Sequence, residues 1–144
     1  MIQYYRKGDL FDSRADALAH GCNVRGRMNA GIAAQFRERF PDMFEDYVQR
    51  CRQGRFRLGN GYMFRNPETP HVINLATQGT YISGLEYIDS AFGWLASSYR
   101  SLGIESVAIP KIGAGLGKLE WRHVDDLVQK HFRDSDLIVE VHLR

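Results

Sequence analysis

The chain has 144 residues, a length that suits one domain, and its 44% hydrophobic and 25% charged residues are the ordinary mix of a globular protein able to fill a core. Nineteen basic and seventeen acidic side chains leave a net charge of +2, which removes the polybasic argument for a nucleic-acid binder. No signal segment or membrane-length apolar run is present, so the expectation is a cytoplasmic protein with reduced thiols and no membrane partner.

Residues 2–6 are β-prone and read as a first strand, followed by a turn at Lys7-Gly8-Asp9-Leu10. Residues 15–22 are mostly small and apolar, as in a buried strand, and residues 23–27 form a polar loop. Apolar residues at Ile32, Ala33, Phe36 and Phe40 give a helical period over 28–40, which Pro41 stops. Asp42 is expected to cap a second helix that runs to Arg52, with Met43, Phe44, Tyr47 and Val48 inward. Strands are predicted at 61–65 and 71–76, joined by the turn-forming Asn66-Pro67-Glu68-Thr69-Pro70. The longest helix spans 85–102, with Ile88, Ala91, Phe92, Leu95 and Tyr99 at helical spacing and Gly103 as its C-cap. A strand at 107–109, a helix at 120–132 and a strand at 137–143 close the chain. Helices alternating with strands, some strands in hairpin-like pairs, predict an α/β fold: one three-layer α/β/α sandwich around a mixed central sheet.

The basic cluster 50–57 reads first as a solvated helix end and loop, and second as a contact for a polyanion. Cys22 and Cys51 lack metal-ligand spacing, and the five histidines are scattered. No metal or cofactor is therefore expected.

Between the 107–109 strand and the last helix lies Pro110-Lys111-Ile112-Gly113-Ala114-Gly115-Leu116-Gly117-Lys118. Three glycines at alternate positions leave bare backbone just before a helix N-terminus, the setting in which N–H groups and the helix dipole hold a phosphate. Lys118 is followed by Leu119 and not by Ser or Thr, so this is no Walker A loop. The spacing is Gly-x-Gly-x-Gly and comes late in the chain, unlike a dinucleotide fingerprint. A nucleotide triphosphatase and a dehydrogenase are both disfavoured. Ligands of open α/β sheets sit beyond the carboxyl ends of the strands, which places loops 23–31, 77–84 and 110–117 around one crevice. Asn29-Ala30-Gly31-Ile32-Ala33, at a second helix N-terminus, adds another place for backbone N–H groups to meet phosphate, and two such termini suit a diphosphate.

Four segments, in this order, resemble the macro domain, an ADP-ribose-binding module: Lys7-Gly8-Asp9-Leu10-Phe11, Ala19-His20-Gly21-Cys22-Asn23, Met28-Asn29-Ala30-Gly31-Ile32-Ala33, and residues 110–121. The likeness covers nearly the whole chain. It is greatest to the branch holding the terminal ADP-ribose protein glycohydrolase and the antitoxin that removes ADP-ribose from DNA. The resemblance implies that Asp9 accepts a hydrogen bond from the adenine amino group and that Leu10 frames the base. It implies that Gly31 and Ile32 offer backbone N–H groups to the diphosphate, beside Asn29, and that Asn23 lies near the distal ribose. Ile112, Gly113, Ala114, Gly115, Leu116 and Gly117 would wrap the diphosphate and distal ribose from the other side, with Thr77 and Gln78 completing the binding set.

The sequence departs from that branch at its chemistry. The lysine that attacks the C1″ carbon in similar glycohydrolases is here Gln78, which forms no Schiff-base adduct, and the cradle aspartate is Gly117. The remaining expectation is an enzyme that cleaves ADP-ribosyl esters, of glutamate, aspartate or acetate, with Asn23 and Gln78 orienting water or polarising the carbonyl. The alternatives are a reader of ADP-ribose without chemistry and an ADP-ribose 1″-phosphate phosphatase. ADP-ribosylated nucleic acid is disfavoured but kept open by residues 50–57. The partner is ADP-ribose or an ADP-ribosylated protein, and a monomer is expected. Hydroxyls in Thr80-Tyr81-Ile82-Ser83 are left open as distal-ribose contacts.

Overall fold

A computed structural model describes residues 1–79, 84–115 and 118–144. Its strands are β1 (Ile2–Tyr5), β2 (Ala17–Asn23), β3 (Gly61–Phe64), β4 (His71–Gln78), β5 (Ser106–Ile109) and β6 (Ile138–His142). Its helices are α1 (Gly31–Arg39), α2 (Pro41–Arg52), α3 (Leu85–Leu102) and α4 (Trp121–Phe132), with a short 3-10 turn at Leu10–Asp12.

The six strands form one mixed sheet in the order β1-β6-β5-β2-β4-β3. All neighbours are parallel except β3 and β4, which pair antiparallel. Both sheet faces are covered, so side chains that alternate along a strand enter two different cores. Ala17 and Ala19 of β2, with Leu75 of β4 and Val107 of β5, pack against Ile88, Phe92, Leu95, Val124 and Val128 of α3 and α4. Leu18 and Cys22, with Val72, Ala76 and Ala108, pack against Phe36 of α1 and Met43 and Tyr47 of α2. The result is the expected α/β/α sandwich, with the central strands β5, β2 and β4 nearly free of exposed side chains.

Gly103 ends α3 in the left-handed region at φ 76°, as its C-cap role requires. Most element ends differ by a residue or two from the sequence reading, and three of the differences have a plain physical reason. Helix α1 starts at Gly31, not residue 28, because Met28 fits the hydrophobic period while being buried as part of the preceding loop. Asp42 does not cap α2: Phe40 holds that position and Pro41 opens the helix, leaving Asp42 in the first turn, where its charge complements the dipole. Strand β4 runs two residues further, to Gln78, past the polar Thr77.

Candidate functional site

A cavity of about 630 Å³ opens beyond the carboxyl ends of β4, β2, β5 and β6. Its walls are the β2–α1 connection and the loop after β5. Of the residues singled out in the sequence, Asn23, Asn29, Gly31, Ile32, Gln78, Ile112, Gly113, Ala114 and Gly115 all line it.

On the α1 side, Ala30 precedes the helix with no side chain capping it. The first helical bond runs from the Ala34 N–H to the Ala30 carbonyl at 3.4 Å, so the N–H groups of Gly31, Ile32 and Ala33 have no partner within the helix. All three residues border the cavity, and the dipole adds partial positive charge at this terminus. Behind it, Asn23 organises the loop. Its side-chain oxygen accepts from the N–H groups of Arg25 at 2.9 Å and Arg27 at 3.4 Å, while its amide donates to the Arg27 carbonyl at 2.9 Å. The Tyr47 hydroxyl, rising from the core of α2, lies 2.8 Å from both the carbonyl and the side-chain oxygen of Asn23. Burial pushes this phenol's pKa up, so it stays a donor. One N–H of the Asn23 amide remains for a ligand.

On the other wall, Gly113 stands at φ 79°, and a Cβ there would come within 3.1 Å of Ile88 and of Leu119. A side chain there is strained by the backbone conformation and crowded by both neighbours. Backbone bonds shape this loop: the Ala114 N–H donates to the Lys111 carbonyl at 3.2 Å, and the Leu119 N–H to the Gly113 carbonyl at 2.8 Å. The N–H groups of Gly113 and Gly115 enter none of these turns, and nothing lies within 4 Å of where a Gly115 Cβ would stand. A ligand therefore has direct access to that backbone.

The register between β2 and β4 shifts at the rim: Cys22 pairs with Ala76, but Asn23 pairs with Gln78. The bulged residue is Thr77, and the bulge sets Asn23 and Gln78 side by side at the cavity. Among the described residues, Gln78 makes no side-chain hydrogen bond. Thr77 itself is fully buried with an unpartnered hydroxyl, packed where Gly21 lacks a Cβ, and is not part of the lining. Leu10 is buried in the core, and the exposed Asp9 carboxylate caps the 3-10 turn by accepting from the Phe11 N–H at 3.0 Å. Neither borders the cavity. Leu116, Gly117 and residues 80–83 lie outside the described residues.

Sequence reasoning did not single out Cys22, Arg27, Lys111 or Arg144 as site residues, yet all four line the cavity. Arg144 carries no local signal; only the neighbouring of β6 and β5 brings it near. Beneath the floor, His20 is fully buried, stacked 3.7 Å from the Phe36 ring, with its Nε2 2.7 Å from Asn74 Oδ1. Since that oxygen only accepts, Nε2 carries the proton. The Asn74 amide in turn donates to the Tyr62 hydroxyl at 2.9 Å. Desolvation lowers the His20 pKa to about 4, so the imidazole is neutral and structural. Burial likewise pushes the Cys22 thiol well up, which removes a thiolate nucleophile from the site. Among the described residues no group of three or more His, Cys, Asp or Glu is arranged to hold a metal.

The profile of the macro domain family matches residues 19–128. The DNA ADP-ribosyl glycohydrolase of Mycobacterium tuberculosis is 34% identical over 143 residues, covering 94% of this chain and 41% of the relative. The chain spans about two fifths of the length of the first curated relatives it matches. The solved macrodomain of Mycobacterium tuberculosis DarG superposes with a TM-score of 0.93 at 33% identity, over 100% of this chain and 98% of that one. Thermosipho africanus DarTG in complex with ADP-ribose gives a TM-score of 0.89 at 26% identity, over 95% of this chain and 40% of that one. No described helix is long and apolar enough to cross a membrane.

Proposed function

The chain belongs to the macro domain family, and from that premise we propose that it binds ADP-ribose in the cavity and hydrolyses ADP-ribosyl esters. One observation carries the reading: two walls of backbone N–H groups without a partner among the described residues, at 31–33 and at Gly113 and Gly115, border one cavity. That arrangement fits a diphosphate held from both sides. The solved complex of the DarTG relative contains the same ligand. In this pose the adenine lies at the Arg144 end of the cavity and the distal ribose toward Asn23 and Gln78.

Hydrolysis of an ester needs no lysine. Water adds to the acyl carbon, the bond from that carbon to the ribose oxygen breaks, and the proton leaves on the ribose hydroxyl. Gln78, with its free carboxamide, and the remaining N–H of Asn23 hold the water or polarise the carbonyl. The distal-ribose end has no side-chain nucleophile among its described residues, which favours an activated ester over a stable glycosidic bond. Glutamate-linked and serine-linked ADP-ribosylated proteins, incubated in parallel, test this. Release of ADP-ribose from the first alone is expected, with Gln78→Ala slower by about 10². Binding of ADP-ribose with no release from either would instead establish a reader.

A second reading, ADP-ribose carried on DNA, is favoured by the relatives' activity and by charge. Residues 25–57 hold eight arginines against four carboxylates, although the whole chain is nearly neutral. Turnover of an ADP-ribosylated oligonucleotide by the full chain tests it.

A further inference from the structure

Three cations line the cavity, Arg27, Lys111 and Arg144, and among the described residues no carboxylate does. None of the three enters an ion pair among the described residues. Arg27 belongs to the β2–α1 wall. Lys111 and Arg144 belong to the opposite side and to each other. Strands β5 and β6 run parallel with Ile109 level with Val141. Lys111, two residues past Ile109, and Arg144, three past Val141, therefore leave neighbouring strands side by side.

The carboxylate of β6 does not neutralise this pair. Glu140 is engaged elsewhere: it accepts from the Ser13 hydroxyl at 2.7 Å and lies 3.2 Å from His142 Nε2. Both Lys111 and Arg144 are exposed. Like charges set side by side without a counter-charge repel, and an anion between them turns that repulsion into attraction.

The pose decides which anion. In the proposed pose the diphosphate lies between the N–H groups at 31–33 and those of Gly113 and Gly115, and the adenosine half lies at the Arg144 end. Adenosine itself offers these cations no charge, since its base and ribose hydroxyls are neutral at neutral pH. A phosphomonoester on the adenosine ribose brings a charge of about −1.5 to −2 and three acceptor oxygens. A guanidinium grips two such oxygens as a fork, and an ammonium adds a compact point charge. We infer that Lys111 and Arg144 form a subsite for a phosphate on the adenosine ribose, so that the ligands of this cavity include ADP-ribose phosphorylated there. This rests on the ADP-ribose pose above and adds a charged position at its opposite end from the ester. The phosphate has two possible attachments, the 2′ and the 3′ oxygen of the adenosine ribose.

The test is competition against labelled ADP-ribose with the full chain, Lys111→Gln, Arg144→Gln, the double variant and Arg27→Gln, after confirming equal melting temperatures. The competitors are ADP-ribose and its two forms phosphorylated at the 2′ or the 3′ oxygen of the adenosine ribose. Wild type is expected to prefer at least one phosphorylated form by about tenfold. That ratio should fall by about threefold in each single variant of the pair and to near one in the double variant. Arg27→Gln, on the other wall, should keep it. Preference for one isomer identifies the attachment, and preference for both identifies the charge itself as the feature read; either supports the subsite. No preference in wild type overturns the inference and leaves the ADP-ribose pose standing. So does a ratio that Arg27→Gln lowers as much as the pair does, because the cavity's overall charge would then explain it. Failure of wild type to bind labelled ADP-ribose at all overturns both the subsite and the pose.

Discussion

The two walls of the cavity are built by opposite means. The β2–α1 wall is braced by side chains: Asn23 bridges its own loop, Tyr47 supports Asn23 from α2, and His20 stacks on Phe36 of α1. The β5–α4 wall is shaped by backbone bonds and by the missing side chain of Gly113. Both end in the same product, backbone N–H groups at the cavity without a partner among the described residues. The first wall therefore fails when a side-chain atom is removed, and the second when one is added.

The largest effect is expected from adding. Gly113→Val places a β-branched residue at φ 79° and drives its Cβ to within 3.1 Å of Ile88 and Leu119. The left-handed backbone alone costs about 1–2 kcal/mol, with overpacking in addition. Loop and ligand suffer together, so calorimetry should find ADP-ribose affinity down by at least tenfold. Native affinity in this variant would mean that the glycine wall is not a phosphate cradle.

Next in size is acidification, which acts on the braced wall. The His20 pKa is lowered to about 4 in the fold by burial, against an ordinary value of 6.5 when unfolded. The unfolded chain thus binds the proton first. Stability is unaffected above about pH 6.5 and falls as pH drops from there toward 4, by about 3 kcal/mol at most. Urea unfolding between pH 7 and 4.5 reads this loss. An imidazole that titrates near 6.5 by NMR in the folded protein would show that His20 is not sealed beneath the floor.

Asn74→Ala should cost about 1–3 kcal/mol, because it leaves the His20 Nε2–H and the Tyr62 hydroxyl without their buried partner. Denaturant midpoints measure it. The loss should be accompanied by weaker ADP-ribose binding, since the His20–Phe36 stack supports the α1 end; a stability loss with unchanged affinity would separate floor from wall.

How much of this was readable beforehand follows the same division. The glycine wall is local, and Gly113-Ala114-Gly115 after an apolar strand announced it in the sequence. So did the sandwich, because β2, β4 and β5 are apolar on both faces and α3 keeps a helical period through Tyr99. The braced wall is tertiary. Tyr47 falls on the inward face of a helical pattern and looks like any core aromatic; its hydroxyl acquires a role only when the fold brings it to Asn23. Thr77 and Gln78 read as a loop because a bulge at the end of a strand has no period to betray it. Arg144 reaches the cavity through strand order alone. Met28 misplaced the start of α1 because burial by distant residues imitates a helical period.

The smallest change gives the finest discrimination between the walls. Tyr47→Phe deletes one oxygen and keeps the ring against Phe56, 5.7 Å away, and Phe44, 6.1 Å away. Its hydroxyl is one hydrogen-bond donor among several in the loop, so the expected stability loss is about 0.5–1.5 kcal/mol, a modest shift in melting. Function should respond out of proportion. Without the hydroxyl, the Asn23 carbonyl and side-chain oxygen lose their support, and the amide that faces the ligand is no longer fixed. Ester turnover should therefore drop through kcat more than through KM, because the proposed diphosphate cradle at Gly31 and Gly113 is untouched. An equal fall in both walls' contributions, read as a rise in KM with kcat preserved, would place Tyr47 in general packing and deny the braced wall a part in the chemistry.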